Sequence, residues 1–317
     1  MARPAPVGRA YRESTEPRGQ IGQPLPHFPV PPVMTHENKV ARWLLPLESA
    51  GGIGVEIGPF KTPVPGIKPI YVDRFKEYAG EKCLADYHGD AANLPFRDNS
   101  LAYVVSSHVL EHTANPVAAF AEWYRVLRPG GIIYVVVPDR RYTWDHARAL
   151  TSIDHMLEDY ERSTTAVDAT HVDDFVDGVD WSTYSPGTKE ADVFAAKAAL
   201  KATYHQAVAT GNEINIHFHV FEPGNVLGLL GRLQHHPRLR FHWCVVDQAE
   251  RFPANNPNGF LAVVRVQKSW RHRLRTSLQW AARQRSWNTV LLPSALPLNQ
   301  RPEASECPTP REGGSPR

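Results

Sequence analysis

The chain has 317 residues, 42% of them hydrophobic and 21% charged, with a formal net charge of +2. That length suits one large domain with extensions or two small ones, and so balanced a charge gives no reason to expect a nucleic-acid partner. Cys83, Cys244 and Cys307 are never spaced as Cys-x-x-Cys, which excludes a disulfide framework or a zinc knuckle as the organising feature.

In chain order, residues 1–33 are Pro-rich without a hydrophobic period and read as a disordered arm. The arm lacks the apolar core of a signal peptide, and no later run approaches the ~18 apolar residues of a membrane span, so a cytoplasmic chain is expected. From His36 to Leu47, Val40, Trp43, Leu44 and Leu47 share one helical face. Ile53 to Ile57 is a short apolar strand that ends at Gly58-Pro59, and Pro69 to Asp73 is a second. A weaker third strand is expected over Lys82 to Asp86. Leu101 to Ser106 is apolar on both faces, as a central parallel strand is. Asn115-Pro116 then opens a helix as cap and first-turn proline. Ala119, Phe120, Trp123, Val126 and Leu127 follow at helical spacing, and Arg128 to Gly131 should stop it. Ile132 to Val137 is a fifth strand.

Residues 138–221 show no strand alternation and read as a helical or irregular insertion. Glu222 to Gln234 is a helix that buries Val226, Leu227, Leu229, Leu230 and Leu233. Leu239 to Val246 and Phe260 to Val266 suit a terminal antiparallel pair. Strands alternating with helices predict an open, mostly parallel α/β sheet with a terminal antiparallel strand. The domain spans 34–268, and a basic, potentially amphipathic stretch over 269–287, suited to weak contact with an acidic membrane surface, opens a disordered tail to residue 317.

The residues able to carry chemistry gather where these strands end. The first strand runs into Val55-Glu56-Ile57-Gly58-Pro59-Phe60, and the second closes on Asp73. Asp90-Ala91 precedes Leu94-Pro95-Phe96, and Asp98-Asn99-Ser100 leads into the fourth strand. That strand ends in Ser106-Ser107-His108-Val109-Leu110-Glu111-His112. Over residues 50–140, with a weaker echo at 217–267, this order resembles the class I methyltransferases of the type 11 family, which includes ubiquinone and menaquinone biosynthesis enzymes. The resemblance implies a Rossmann-like sheet and S-adenosyl-L-methionine as cofactor. It implies that Glu56 helps hold the cofactor's amino group, that Gly58 permits close backbone approach, and that Asp73 clamps the ribose hydroxyls. By the same resemblance Asp90 and Ala91 meet the adenine, and Ser107 and His108 face cofactor or substrate. Two departures stand out. Phe60 occupies the place of a second glycine, and the segment from Ile57 to Pro69 is too short for the usual first crossover helix.

Methyl transfer from a sulfonium to an acceptor in line with it asks mainly for alignment, with a base such as His108 when the acceptor must lose a proton. The acceptor should be read from the insertion, where Asp139 and Arg140 follow the fifth strand. Thr170-His171-Val172-Asp173-Asp174 and Ile216-His217-Phe218-His219 also stand out there. Alternate spacing in a strand puts His217 and His219 on one face. With His171 and Asp173 or Asp174 they would contact a polar acceptor, bind a divalent metal, or serve as hydrogen-bonded structure. No metal ligand set is assigned. The expected reaction is methylation of a hydroxyl on a small molecule or glycan, with His108, His217 and His219 as candidate catalytic groups. The rivals are a non-catalytic methyltransferase-fold binding module and a metal-dependent hydrolase built on His171, His217 and His219.

Overall fold

A computed structural model describes residues 34–268, Ala79 excepted. The Pro-rich arm and the basic stretch over 269–287 lie outside the described residues.

The first helix is two. α1 (His36–Trp43), capped by the Thr35 hydroxyl on Asn38, stops at Leu44, and α2 (Leu45–Ser49) follows with Pro46 in its first turn. Proline has no N–H to offer the preceding turn, so it opens a new helix rather than continuing the old one. β1 (Gly54–Ile57) and β2 (Ile70–Asp73) fall where their apolar runs predict. The third strand does not. Residues 77–82 fold back as a small hairpin, β3 (Glu77–Tyr78) with β4 (Glu81–Lys82), around Gly80 at φ +78°. The strand that joins the main sheet is β5 (Tyr87–His88).

β6 (Leu101–Ser107) leads to α3 (Pro116–Val126), whose Asn115 cap accepts from the Ala118 N–H. β7 (Leu127–Pro138) starts earlier than expected. Leu127 already bridges Leu101, and the Pro-Gly-Gly stretch is absorbed as a register shift before Tyr103 meets Ile132. The insertion is helical, with α4 (Ile153–Arg162), α5 (Ala169–Gly178), α6 (Trp181–Tyr184) and α7 (Val193–Ala209). α8 (Pro223–His235) then precedes β8 (Trp243–Phe252) and β9 (Gly259–Val266). β8 lies later than its predicted range because residues 237–242 turn at Arg240, φ +45°.

The seven-stranded sheet has the order β5-β2-β1-β6-β7-β9-β8. The first five of these are parallel, and β9 runs antiparallel to both β7 and β8. This is the open, mostly parallel sheet with a reversed terminal strand that the sequence predicts. Side chains alternate across it. On β7, Ile133, Val135 and Val137 join Phe120, Trp123 and Leu229 beneath α3 and α8. Ile132, Tyr134 and Val136 face the other way, toward Val40 and Leu44. With no crossover helix between β1 and β2, that second face is covered by α1, Leu44 and the loop residues Val64 and Ile67. A third cluster, including Val172, Phe175, Val176, Ile216 and Phe218, is the insertion's own core.

Neighbouring strands crowd at Gly54, where a Cβ would come within 2.0 Å of the ring of Tyr103, its register partner on β6. Tyr103 is buried between strands and cannot swing away. Gly54→Ala is therefore expected to destabilise the fold by about 1–3 kcal/mol or more, as overpacking does, measured by urea denaturation. A midpoint equal to wild type would show that this layer yields.

Candidate active site

The strand order reverses between β1 and β6, and open α/β sheets bind ligands beyond the carboxyl ends of strands at such a point. A cavity of ≈ 480 Å³ lies there. Of the residues singled out from sequence, Gly58, Asp73, Asp90, Ala91, His108 and His217 line it.

Gly58 leaves β1 at φ +64°, and a Cβ on it would meet Val109 Cγ2 at 2.5 Å, so both conformation and space require glycine. Phe60 takes the left-handed conformation that a second glycine would take, φ +47°, and turns its ring edge-on to Tyr78 as part of the wall. Asp73 closes β2 almost buried, with Oδ1 accepting the Phe75 N–H at 2.9 Å. Burial pushes its carboxyl up, while the backbone donors of Phe75 and Phe60 hold it back. Asp90 turns the chain by accepting the Ala92 N–H at 2.8 Å, and Arg74 lies 3.3 Å from its other oxygen at the mouth. The Ala91 carbonyl is fixed by the Trp123 indole N–H at 3.0 Å.

Glu56 lies behind this surface rather than on it. It is 1% exposed, and its Oε1 accepts the Val64 N–H at 2.8 Å, so it fastens the turn after β1 instead of reaching a ligand. Ser107, the last residue of β6, also falls outside the lining.

The other end of the cavity joins histidines singled out from sequence to aromatic residues that sequence reasoning passed over. Trp144, Phe175, Tyr184 and Tyr204 wall it, and His108, His112 and His217 supply its polar groups. His217 Nδ1 pairs with Asp145 Oδ2 at 2.6 Å, and the fully buried Arg148 holds Asp145 Oδ1 at 2.7 Å. Burial alone would raise Asp145, but His217 and Arg148 bring it below the ordinary carboxylate value. An ionised aspartate on Nδ1 fixes the tautomer of His217 and leaves Nε2 as the basic nitrogen. Beneath lies Glu111, with no exposed surface, 3.6 Å from His108 Nδ1 and 3.7 Å from His112 Nε2. Burial opposes its ionisation, yet the surrounding imidazoles lower it overall. Burial also pushes His112 down to about 4, against the pull of Glu111.

Several insertion residues predicted at the site are elsewhere. Residues 213–221 form no strand, so His217 and His219 do not share a face. The Phe218 and His219 N–H groups both turn onto the Glu111 carbonyl, at 2.8 and 3.2 Å. That twist sends His217 into the cavity and His219 into a separate buried cluster with His171, away from the lining. The proposed His171, His217 and His219 triad is therefore not one group. Asp139 is fully buried and clamped by the Arg141 guanidinium, because it caps the turn Arg140–Tyr142. Arg140 is spent on Glu222 and the carbonyls of His146 and Arg148. Asp174 pairs with Arg148 at 2.6 Å. None of these lines the cavity. Phe175 was within reach of sequence reasoning, since Val172, Phe175, Val176 and Val179 repeat at helical spacing. Asp145 and Arg148 carried no such signal.

Residues 67–135 match the family model described as "Methyltransferase domain". Among curated relatives, demethylmenaquinone methyltransferases of Staphylococcus epidermidis and Staphylococcus haemolyticus are 48% and 50% identical over 46 residues, 14% of this chain. The match spans only 19% of each relative's length. An S-adenosylmethionine-dependent methyltransferase structure from Mesorhizobium loti aligns over 70% of this chain and 96% of its own at 16% identity, with a TM-score of 0.36. At that score the fold assignment rests on strand order and direction instead. Residues 67–135 are thus similar to a methyltransferase domain, a class for which S-adenosyl-L-methionine would be the methyl donor. The residues at the strand ends fit such a cofactor: an obligatory glycine, a buried carboxylate ending β2, and the Asp90-Ala91 turn converge on one cavity.

Burial pushes Glu56 up to about 7, against the pull of the Val64 N–H. A carboxyl whose folded pKa exceeds its unfolded one favours the fold fully below the unfolded value, and that advantage is lost as pH rises toward 7. Glu56→Gln keeps the carbonyl acceptor and cannot ionise. Its stability relative to wild type should thus rise between about pH 4.5 and 7, by a few kcal/mol at most. Urea midpoints of both proteins across that range check it, and a constant difference would refute the assignment.

Proposed function

We propose that this protein is an S-adenosyl-L-methionine-dependent methyltransferase that methylates a hydroxyl group on a small molecule or glycan. The observation that carries this reading is the single cavity that joins Gly58, Asp73 and Asp90 at one end to the Asp145–His217 pair at the other.

When bound, the cofactor supplies an electrophilic methyl group on a sulfonium. Gly58 lets the backbone approach its methionine portion, Asp73 accepts from the ribose hydroxyls, and the Asp90-Ala91 turn receives the adenine. The chain's remaining work is alignment and proton removal. Trp144, Phe175, Tyr184 and Tyr204 stack on a ring-shaped acceptor and exclude water. His217 takes the hydroxyl proton at Nε2, and Asp145 stabilises the imidazolium that results. His108, 33% exposed and held at φ +55°, positions the acceptor from beside Glu111. Glu111 and His112 form the polar floor. A ring acceptor with a hydroxyl suits aromatic walls around an imidazole better than a flexible charged chain would. A non-catalytic role accords less well with a buried carboxylate–imidazole pair facing open space, a costly arrangement unless it is used.

Calorimetric titration with S-adenosyl-L-methionine should give saturable binding, weakened about 10-fold or more in Asp73→Ala by the loss of charge-assisted hydrogen bonds. No binding by the folded protein, or an unaltered Asp73→Ala, would sink the cofactor assignment. Against a panel of sugar and phenolic hydroxyls with radiolabelled methyl donor, His217→Asn should lower the rate about 10²–10⁴-fold while leaving cofactor affinity intact. An undiminished rate would remove His217 as the base.

A further inference from the structure

Outside the cavity, the insertion holds a second cluster of ionisable side chains that methyl transfer does not use. His155 and Asp159 stand one turn apart on α4, on the same helical face. His171 comes from the first turn of α5, and His219 from the extended segment before α8. The three imidazoles form a near-equilateral triangle, with centroid separations of 5.6 Å for 155–171 and 5.8 Å for both 155–219 and 171–219. Asp159 Oδ2 points at them, 3.4 Å from His155 Nε2 and 3.5 Å from His219 Nε2. One donor atom from each of the four residues lies within 4.8 Å of every other.

Two features distinguish this cluster from an ordinary buried hydrogen-bond network. The first is that the inward atoms lack partners. Asp159 Oδ2, His171 Nε2 and both ring nitrogens of His219 are buried without a hydrogen bond to protein, a costly condition for four polar atoms in one place. The second is that His171 and Asp159 are tied from behind. His171 Nδ1 meets Asp168 Oδ1 at 2.9 Å, which fixes the tautomer that leaves Nε2 a lone pair directed inward. Asp159 Oδ1 accepts from the Thr164 hydroxyl at 3.2 Å, which leaves Oδ2 toward the histidines. Carboxylate–histidine pairs of this kind are how proteins orient ligands to a metal. The two Asp159 separations agree with such a site: bonds of about 2.0–2.1 Å in a tetrahedron put neighbouring donor atoms about 3.3–3.4 Å apart.

We propose that His155, Asp159, His171 and His219 bind one divalent transition-metal ion of the zinc type. Three imidazoles and a carboxylate suit a borderline cation and not Mg²⁺ or Ca²⁺, which call for oxygen donors. With four protein donors the site is closed, so its role is structural. The ion ties α4, α5 and the 213–221 segment together. Phe175 on α5 and Ile214 to His217 on that segment line the acceptor end of the cavity, so the ion holds the acceptor wall in place. The assignment is independent of the reaction proposed above.

Elemental analysis of the full chain, expressed with zinc and dialysed against metal-free buffer, should find about one equivalent. Replacement by Co²⁺ should give the intense visible absorption of a tetrahedral site. His155→Ala changes a half-exposed helical side chain and should fold; it should bind Zn²⁺ about 100-fold more weakly or worse in competition with a chromophoric chelator. Chelation should lower the wild-type melting temperature and leave that of His155→Ala unchanged. Absence of both retained metal and a cobalt spectrum in the folded full chain would overturn the proposal. So would a metal that persists in His155→Ala and Asp159→Asn but is lost in Glu111→Gln, since it would then belong to Glu111, His112 and His217 in the cavity.

Discussion

Asp145 is a carboxylate with almost no contact with solvent, and it stays ionised because Arg148 and His217 share it. Without Arg148 the carboxylate would be a buried charge beside a neutral imidazole, which costs several kcal/mol. The same guanidinium reaches Asp174 on α5 and lies 5.4 Å from the Phe175 ring centroid. Its own carbonyl is held by Arg140, just past the end of β7. One chain of charge thus runs from the sheet, through the start of the insertion, to the histidine facing the cavity. The insertion's position over the strand ends, and the orientation of His217, depend on that chain together.

The end of the cavity at Gly58 obeys a different constraint, the closeness of backbone. With no crossover helix after β1, the turn from Gly58 to Ile67 must cross the strand ends unaided. Glu56 holds it from beneath through the Val64 N–H, and Val64 and Ile67 seal the sheet where a helix would otherwise lie. The positive φ of Phe60 belongs to the same economy of space. Its ring supplies wall area that a longer loop would have supplied, and Tyr78 of the β3–β4 hairpin packs against it. A shortened loop therefore does not remove the cavity; it changes which residues form the rim.

The two histidine clusters divide the insertion's chemistry. Segment 216–219 twists across the Glu111 carbonyl, so neighbouring odd-numbered residues serve opposite sides. His217 faces open space beside an ionised carboxylate, the state required of a base. His219 faces a closed group with His155, Asp159 and His171, where donors are numerous and partners few. Glu111 joins the two sides: its backbone sets the twist, while its side chain sits among His108, His112 and His217.

The parallel strands, the α3 cap at Asn115 and the cavity-lining residues Gly58, Asp73, Asp90 and Ala91 were legible in the chain because each is local. Alternation along β6 and β7, a glycine leaving a strand and a carboxylate closing one are written within a few residues of themselves. The type 11 resemblance over the same stretch added their order. The third strand was misplaced because β5 has only two residues and takes its position from Tyr71 across the sheet. At the end of the cavity near His217 two histidines were legible, but the carboxylate that orients one of them and the aromatic wall were not. Asp145 meets His217 across 72 positions, and a spacing of two between His217 and His219 means one face only if the backbone is a strand, which long-range hydrogen bonds to Glu111 prevent. By itself the sequence determined the layered α/β sheet and the part of the cavity lined by Gly58, Asp73, Asp90 and Ala91. The tertiary structure alone decided which histidines look into that cavity and which gather behind it, because desolvated charges choose partners by proximity in space and not along the chain.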